Sequence, residues 1–193
     1  KIAFIIKTCY YFQMKKIDKM LYSVNENIAI LTINRPERRN ALDADTLDQI
    51  NLLMDRAEND EKVRVILING KGDTFSSGFD LKDQMEKAPQ GEEWKPILEL
   101  DYQTIMRFWN SPKPTIAAVK GACLAGAFEL SLACDLTICS KDSFFGEPEL
   151  KFGAGIVTML LPWMIGMKAA KTIILLGKDN IPSSRALELG ILS

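Results

Sequence analysis

Two stretches of this chain place carboxylates where a reaction could use them, and a third places backbone amides where a ligand oxygen could be held. The first is Val119-Lys-Gly-Ala-Cys-Leu-Ala-Gly-Ala-Phe-Glu-Leu-Ser-Leu-Ala-Cys-Asp135. Its small residues let backbone approach a ligand closely, and Gly126 stands where a helix should begin, with N–H groups free to bind an anion. Glu129 follows about one turn later between Phe128 and Leu130. It reads either as a first-turn glutamate favoured by the helix dipole or as a buried carboxylate whose desolvation demands a task or a partner. The second stretch is Phe144-Phe-Gly-Glu-Pro-Glu-Leu-Lys-Phe-Gly153. Here Glu147 reads as surface charge, and the role of Glu149 depends on whether it faces Glu129. The third is Asp73-Thr-Phe-Ser-Ser-Gly-Phe-Asp-Leu-Lys82, where a glycine flanked by serines permits a sharp turn with N–H groups aimed at a ligand oxygen. Taken alone it also fits a plain strand-to-helix turn capped by Asp80.

Carboxylates matter here because the chain contains no histidine. Ser-His-Asp and Cys-His catalysis in their usual forms, and histidine-based zinc sites, are therefore excluded. Acid–base work must fall to carboxylates, lysine, tyrosine or cysteine. Cys9, Cys123, Cys134 and Cys139 show no CxxC spacing, and three of them sit in apolar stretches. They are expected to be buried free thiols, which implies a reducing, cytoplasmic setting.

The elements that must position these groups alternate between strand and helix. Residues 21–24 and 28–33 predict a hairpin across Asn25-Glu26-Asn27. From Asp43 the apolar positions Leu47, Ile50, Met54 and Ala57 recur at helical spacing, with Asp43 and Asp45 suited to the helix start. Residues 63–68 predict a buried strand, 69–79 a loop, and the charged run 83–95 a mobile loop. A second helix is expected to carry Leu98, Tyr102, Ile105 and Trp109 on one face. Strands over 115–119 and 136–139, a helix over 127–133, and helices after Gly155 and from Ser183 complete the pattern. Short strands alternating with helices predict α/β packing.

A chain of 193 residues, 47% hydrophobic and 25% charged, suits one soluble domain with a substantial core. Lysine and arginine total 24 against 25 acidic residues, so the basic excess of a nucleic-acid-binding protein is absent. No stretch approaches the roughly 20 apolar residues a membrane span needs. Residues 1–19 mix apolar, aromatic and basic side chains. They read as an upstream extension, with Met14 or Met20 as the expected start and residues 20–193 as the domain.

Five motifs, in order and in approximate spacing, resemble the enoyl-CoA hydratase/isomerase (crotonase) family. They are Asn34-Arg-Pro-Glu-Arg-Arg-Asn-Ala-Leu42, Phe75-Ser-Ser-Gly-Phe-Asp-Leu81, Lys113-Pro-Thr-Ile-Ala-Ala-Val-Lys-Gly121, Gly126-Ala-Phe-Glu-Leu-Ser-Leu-Ala-Cys-Asp135 and Phe145-Gly-Glu-Pro-Glu149. The resemblance implies a crotonase-like spiral of β-β-α units and a CoA thioester substrate. It implies an oxyanion hole from the backbone N–H groups of Phe79 and Gly126, and an acid–base pair of Glu129 and Glu149. It places Arg38, Arg39 and Ala41, with Ser77, Gly78, Asp80, Leu81 and Pro148, along the acyl-CoA passage. It implies no metal and no cofactor apart from the coenzyme A of the substrate.

Members of the family that only shift a double bond generally need one base, so two glutamates favour hydration of a 2-enoyl-CoA. A Δ3-Δ2 enoyl-CoA isomerase, another crotonase-type lyase or hydrolase, and an inactive acyl-CoA-binding fragment are the rival readings. By the same resemblance a full-length chain is expected to form a homotrimer or hexamer, and the family's C-terminal helices are not in this sequence. Two local departures stand out. Ala125 and Ala127 occupy positions where many members carry glycine, and residues 153–163 differ from the usual glycine-rich segment beside the acyl pocket.

Overall fold

The computed structural model describes residues 18–193. The expectations for the segment before them, including Cys9, Met14 and the upstream extension, lie outside the described residues. Strands β1 (Met20–Asn25) and β2 (Ile28–Ile33) form the expected hairpin, antiparallel with Asn25 opposite Ile28. Its turn passes through Glu26 and Asn27 at φ 45° and 70°. Left-handed residues at both central positions match the twist of the flanking strands.

Helix α1 (Ala44–Asn59) starts where Asp43 accepts a hydrogen bond from the Thr46 N–H at 2.8 Å. The expected apolar stripe of Leu47, Ile50, Met54 and Ala57 is buried throughout. The chain then runs through β3 (Val65–Gly70), α2 (Leu81–Lys87), α3 (Trp94–Trp109), β4 (Thr115–Val119), β5 (Ala122–Leu124) and α4 (Gly126–Ala133). After these come β6 (Leu136–Cys139), β7 (Phe144–Gly146), α5 (Leu161–Ile165), α6 (Met167–Leu175), β8 (Ile181–Pro182) and α7 (Ser183–Glu188).

These strands make two sheets. The larger has the order β1-β2-β3-β4-β6 and is parallel apart from β1. The smaller has the order β5-β7-β8, with β5 and β7 parallel. Two stretches of the chain, β4–β5–α4 and β6–β7 with the helices that follow, contribute one strand to the larger sheet, one to the smaller, and then a helical segment. Alternate residues of β4, namely Thr115, Ala117 and Val119, are buried, the period-2 pattern of a packed strand.

Two expectations need correction. The charged run 83–95 is largely helical: α2 covers its start and a short 3-10 turn, Gly91–Glu93, leads into α3. Charge density without an apolar stripe reads as loop, but Asp80 caps α2 and Asp83 pairs with Lys87 one turn on. The face of α3 also differs. Asp101, Thr104, Ile105 and Phe108 are buried, whereas Leu98, Tyr102 and Trp109 stay close to half exposed. An apolar count overlooks Thr104, whose hydroxyl accepts from Asn51 of α1 at 2.7 Å and so turns that side inward.

Cys123 and Cys134 are buried free thiols and Cys139 is a half-buried one. Among the described residues no helix is long and apolar enough to cross a membrane.

Candidate active site

The register of the smaller sheet brings the two carboxylate stretches together. Leu124 of β5 lies opposite Gly146 of β7, and the Ala125 N–H donates to the Gly146 carbonyl at 2.9 Å. Both strands are parallel, so both leave the sheet at the same end. One leads into α4 and Glu129, the other through Glu147 and Pro148 to Glu149. Gly146 has to be glycine, because a Cβ there would lie 2.4 Å from the Lys178 carbonyl oxygen.

Glu129, Glu147 and Glu149 each bring a carboxylate oxygen within 4.8 Å of the others. All three are buried, at 1%, 2% and 7% exposure. The surface reading of Glu147 is therefore overturned. Its neighbour across the chain is the Lys178–Asp179 turn, where the Glu147 N–H donates to the Lys178 carbonyl at 2.8 Å and holds the side chain inward. A proline-spaced glutamate pair carries no mark in the sequence that would reveal this.

The three carboxyls differ in their partners. Glu129 Oε1 accepts from the Val157 N–H at 3.1 Å, and Oε2 accepts from both the N–H and the hydroxyl of Thr158. Burial pushes Glu129 up to about 7 despite these bonds, which favour its charged form. Burial also raises Glu147 well above the usual carboxylate range, with the charges of Glu149 and Glu129 adding to the effect. Glu149 is raised by burial and held back by a hydrogen bond with Glu147. With all three ionised, both oxygens of Glu149 and Oε2 of Glu147 would lack a donor. A proton on Glu147 supplies one. The cluster thus favours a mixed protonation state near neutrality. It is also the one grouping among the described residues with the dimensions of a metal site.

The loop at residues 76–80 is threaded between two neighbours. On one side Leu42 donates to the Gly78 carbonyl and accepts from the Asp80 N–H, both at 2.9 Å. On the other, Ser76 donates to the Ala122 carbonyl and accepts from Leu124. In this parallel bridge the N–H of Phe79 points away from Leu42. Neither it nor the N–H of Gly126, the first residue of α4, donates to an acceptor among the described residues. The two segments are in close contact: a Cβ on Gly78 would lie 3.3 Å from the Gly126 nitrogen, and one on Gly126 would lie 2.3 Å from the Phe79 ring. Ala125, just before, takes φ 55° and ψ −138°. That conformation suits glycine, so the alanine here carries backbone strain.

A cavity of about 780 Å³ opens beside these groups. Phe79, Ala125, Pro148 and Glu149 line one part, and Met85, Trp94, Leu98 and Asp101 of α2 and α3 line another. Ser77 and Leu81 reach its wall, as does Val157, whose N–H donates to Glu129, while Glu129 itself is not among the lining residues. Gly78 and Ala41 are buried in the backbone threading around it. Arg38 and Arg39 are exposed outside it.

Asp80 lies apart from this cavity, within an ion-pair network that the sequence did not single out. The Arg35 guanidinium reaches Asp80 at 3.0 Å and Asp43 at 3.1 Å and donates to the Ala41 carbonyl. Asn40 adds bonds to the Lys71 and Thr74 carbonyls at 3.0 and 2.7 Å. These buried polar side chains fasten the 76–80 loop to the segment before α1. The proximity of Arg35 to the Pro36 turn was the one available signal, and it reads equally as a strand terminator.

A family model described as enoyl-CoA hydratase/isomerase matches residues 23–193. A probable enoyl-CoA hydratase of Bacillus subtilis is 37% identical over 177 residues, covering 89% of this chain and 66% of that protein. The short-chain-enoyl-CoA hydratase of Clostridium acetobutylicum is 32% identical over 184 residues, covering 92% of this chain and 69% of that protein. The crystal structure of an enoyl-CoA hydratase/isomerase from Xanthobacter autotrophicus Py2 superposes with a TM-score of 0.91 at 58% identity, covering 92% of this chain and 66% of that one. The chain thus spans about two-thirds of the length of the relatives it matches. Its match to the family over residues 23–193 and the shared α/β fold show that it belongs to the enoyl-CoA hydratase/isomerase (crotonase) family.

Proposed function

We propose that the protein hydrates a 2-enoyl-CoA thioester. The observation that carries this reading is the pairing of Glu129 and Glu149, whose carboxylate oxygens lie within 4.8 Å beside a cavity large enough for an acyl chain. In this reading the thioester carbonyl oxygen rests against the N–H groups of Phe79 and Gly126. Those fixed dipoles stabilise the negative charge that develops as an enolate forms.

Glu129, pushed up to about 7 by burial against three hydrogen bonds that favour its charged form, is poised near neutrality, and in its ionised form it accepts a proton from water as the water oxygen bonds to C3. The C2–C3 π electrons move onto the thioester, giving the enolate. Glu149, facing the cavity, then delivers its proton to C2 as the carbonyl re-forms. Water supplies both the hydroxyl and, after exchange between the carboxyls, the proton balance. Arg38 and Arg39, exposed near the loop, are the cations available to CoA phosphates. A homo-oligomeric full-length enzyme belongs to the same proposal.

The test is a panel of 2-enoyl- and 3-enoyl-CoA thioesters, followed by loss or gain of the conjugated enoyl absorbance. Loss with a 2-enoyl substrate, and a 3-hydroxyacyl product by mass, is the expected result. Gain with a 3-enoyl substrate and no hydration would replace this reading with an isomerase.

A further inference from the structure

Asp101 is a buried carboxylate that neither the fold nor the proposed reaction uses. It lies on α3, 3% exposed, and lines the cavity alongside Leu98 and Trp94, which precede it by one and two helical turns. It has no hydrogen bond or ion pair with any described residue, and burial alone raises its pKa to about 7. A second, smaller cavity of about 150 Å³ is also lined by Asp101, and by Gln84, which both cavities share. The carboxylates there are all engaged: Asp43 with Lys19 and Arg35, Asp80 with Arg35, and Asp83 with Lys87. The Lys87 ammonium of that smaller cavity is taken by Asp83, so it offers Asp101 no free cation, and the larger cavity is where a ligand can meet Asp101.

A buried carboxyl without a partner destabilises a fold, so an aliphatic residue would serve better if the wall merely had to hold an alkyl chain. Its neighbours along the wall, Leu98, Trp94 and Met85, are what an alkyl chain needs. On that part of the wall Asp101 is the buried polar side chain, with Gln84 half-buried and Gln90 exposed along the same cavity, and a buried carboxyl there calls for a polar group on the ligand.

We propose that Asp101 recognises a hydroxyl group carried on the acyl chain, so that the preferred substrate is a hydroxylated 2-enoyl-CoA rather than its plain alkyl counterpart. A carboxyl that is partly protonated near neutrality both donates and accepts, which matches a hydroxyl. The assignment rests on the cavity being the acyl site of the proposed hydratase. It adds a specificity residue on α2–α3, away from the segment that carries Glu149.

The experiment compares two thioesters of equal chain length, a straight-chain 2-enoyl-CoA and its terminally hydroxylated form, on the whole chain. The wild type is expected to favour the hydroxylated substrate in kcat/KM by at least about tenfold, because a site built around a buried polar group discriminates against the analogue that leaves it unpaired. Asp101→Leu should abolish or invert that preference and raise the melting temperature, and Asp101→Asn should weaken the preference with little change in fold. A residue that only held the helix in place would lower the melting temperature and leave the ratio unmoved. Calorimetric binding of the corresponding saturated acyl-CoA pair reads the same preference without turnover. If neither enoyl thioester is hydrated, the hydratase reading fails and the binding ratio still decides. Equal affinity for the pair, binding of neither, or a ratio unchanged in Asp101→Leu overturns the assignment.

Discussion

Glu129 and Glu149, twenty positions apart along the chain, present carboxylate oxygens within 4.8 Å of one another. They do so because β5 and β7 are parallel neighbours that release both stretches at one end of the smaller sheet. Hydration needs both groups, one to take a proton from water and one to give a proton to C2. We therefore predict that Glu129→Gln and Glu149→Gln each lower hydration by about 10²–10⁴, the usual range for general acid–base groups. Glutamine retains size and loses proton transfer, so acyl-CoA affinity should persist. Full hydration activity in either variant would contradict the mechanism.

Glu147 should set the acidity of Glu149. A protonated Glu147 donates to the Glu149 carboxylate and stabilises the form left after proton delivery. Replacing it with leucine removes that donor, raises the Glu149 pKa and moves the basic limb of the rate profile to higher pH. Glu147→Gln keeps an N–H donor and should leave the limb in place. The measurement is kcat/KM against pH for the three proteins, and identical profiles for leucine and glutamine would refute the assignment.

Much of this was legible in the sequence. The hairpin, the α1 stripe and its Asp43 cap, the central strands and the glutamate at the start of α4 all follow from local periodicity and capping chemistry. What was not legible depends on contacts between distant segments. Glu147 looks like surface charge until the Lys178 carbonyl ties its backbone down. Asp101 falls in a face that an apolar count turns outward, because a hydroxyl at Thr104 bonded to Asn51 directs the helix instead. Thr158, which fastens Glu129, lies in a stretch whose departure from the family pattern concealed its role.

The buried acids should also shape stability against pH. In the unfolded chain a glutamate loses its proton near pH 4.3 and an aspartate near 3.9, by the ordinary values. In the folded chain burial holds Glu129 and Asp101 protonated up to about 7. Between those limits the folded state binds more protons, so stability falls as pH rises from about 4 to 7. Melting temperatures measured across that range should decline in the wild type. The decline should be shallower in Glu129→Gln and in Asp101→Asn, and an unchanged slope in both would contradict the burial of these groups.

The Arg35 network gives the last prediction, which concerns how the loop bearing Phe79 is held. Arg35 is 8% exposed and sits between Asp43 and Asp80 while donating to the Ala41 carbonyl. Removing one partner from a buried pair leaves the other charge uncompensated, and that loss costs more than the pair itself contributes. Lys19, 2.6 Å from Asp43, can still neutralise that carboxylate, whereas the ion pairs among the described residues give Asp80 no other cation. Arg35→Met should therefore destabilise the fold by about 3–5 kcal/mol, mainly through Asp80. Adding Asp80→Asn to Arg35→Met should recover part of the loss, since the stranded charge is gone. Because Asp80 directly follows Phe79 and caps α2, loosening it should misplace the Phe79 N–H and lower hydration even where the protein remains folded. Denaturant unfolding of the single and double variants, paired with the hydration assay, measures both effects. A change below about 1 kcal/mol for Arg35→Met would mean the network is an ordinary surface pair, of the kind worth little.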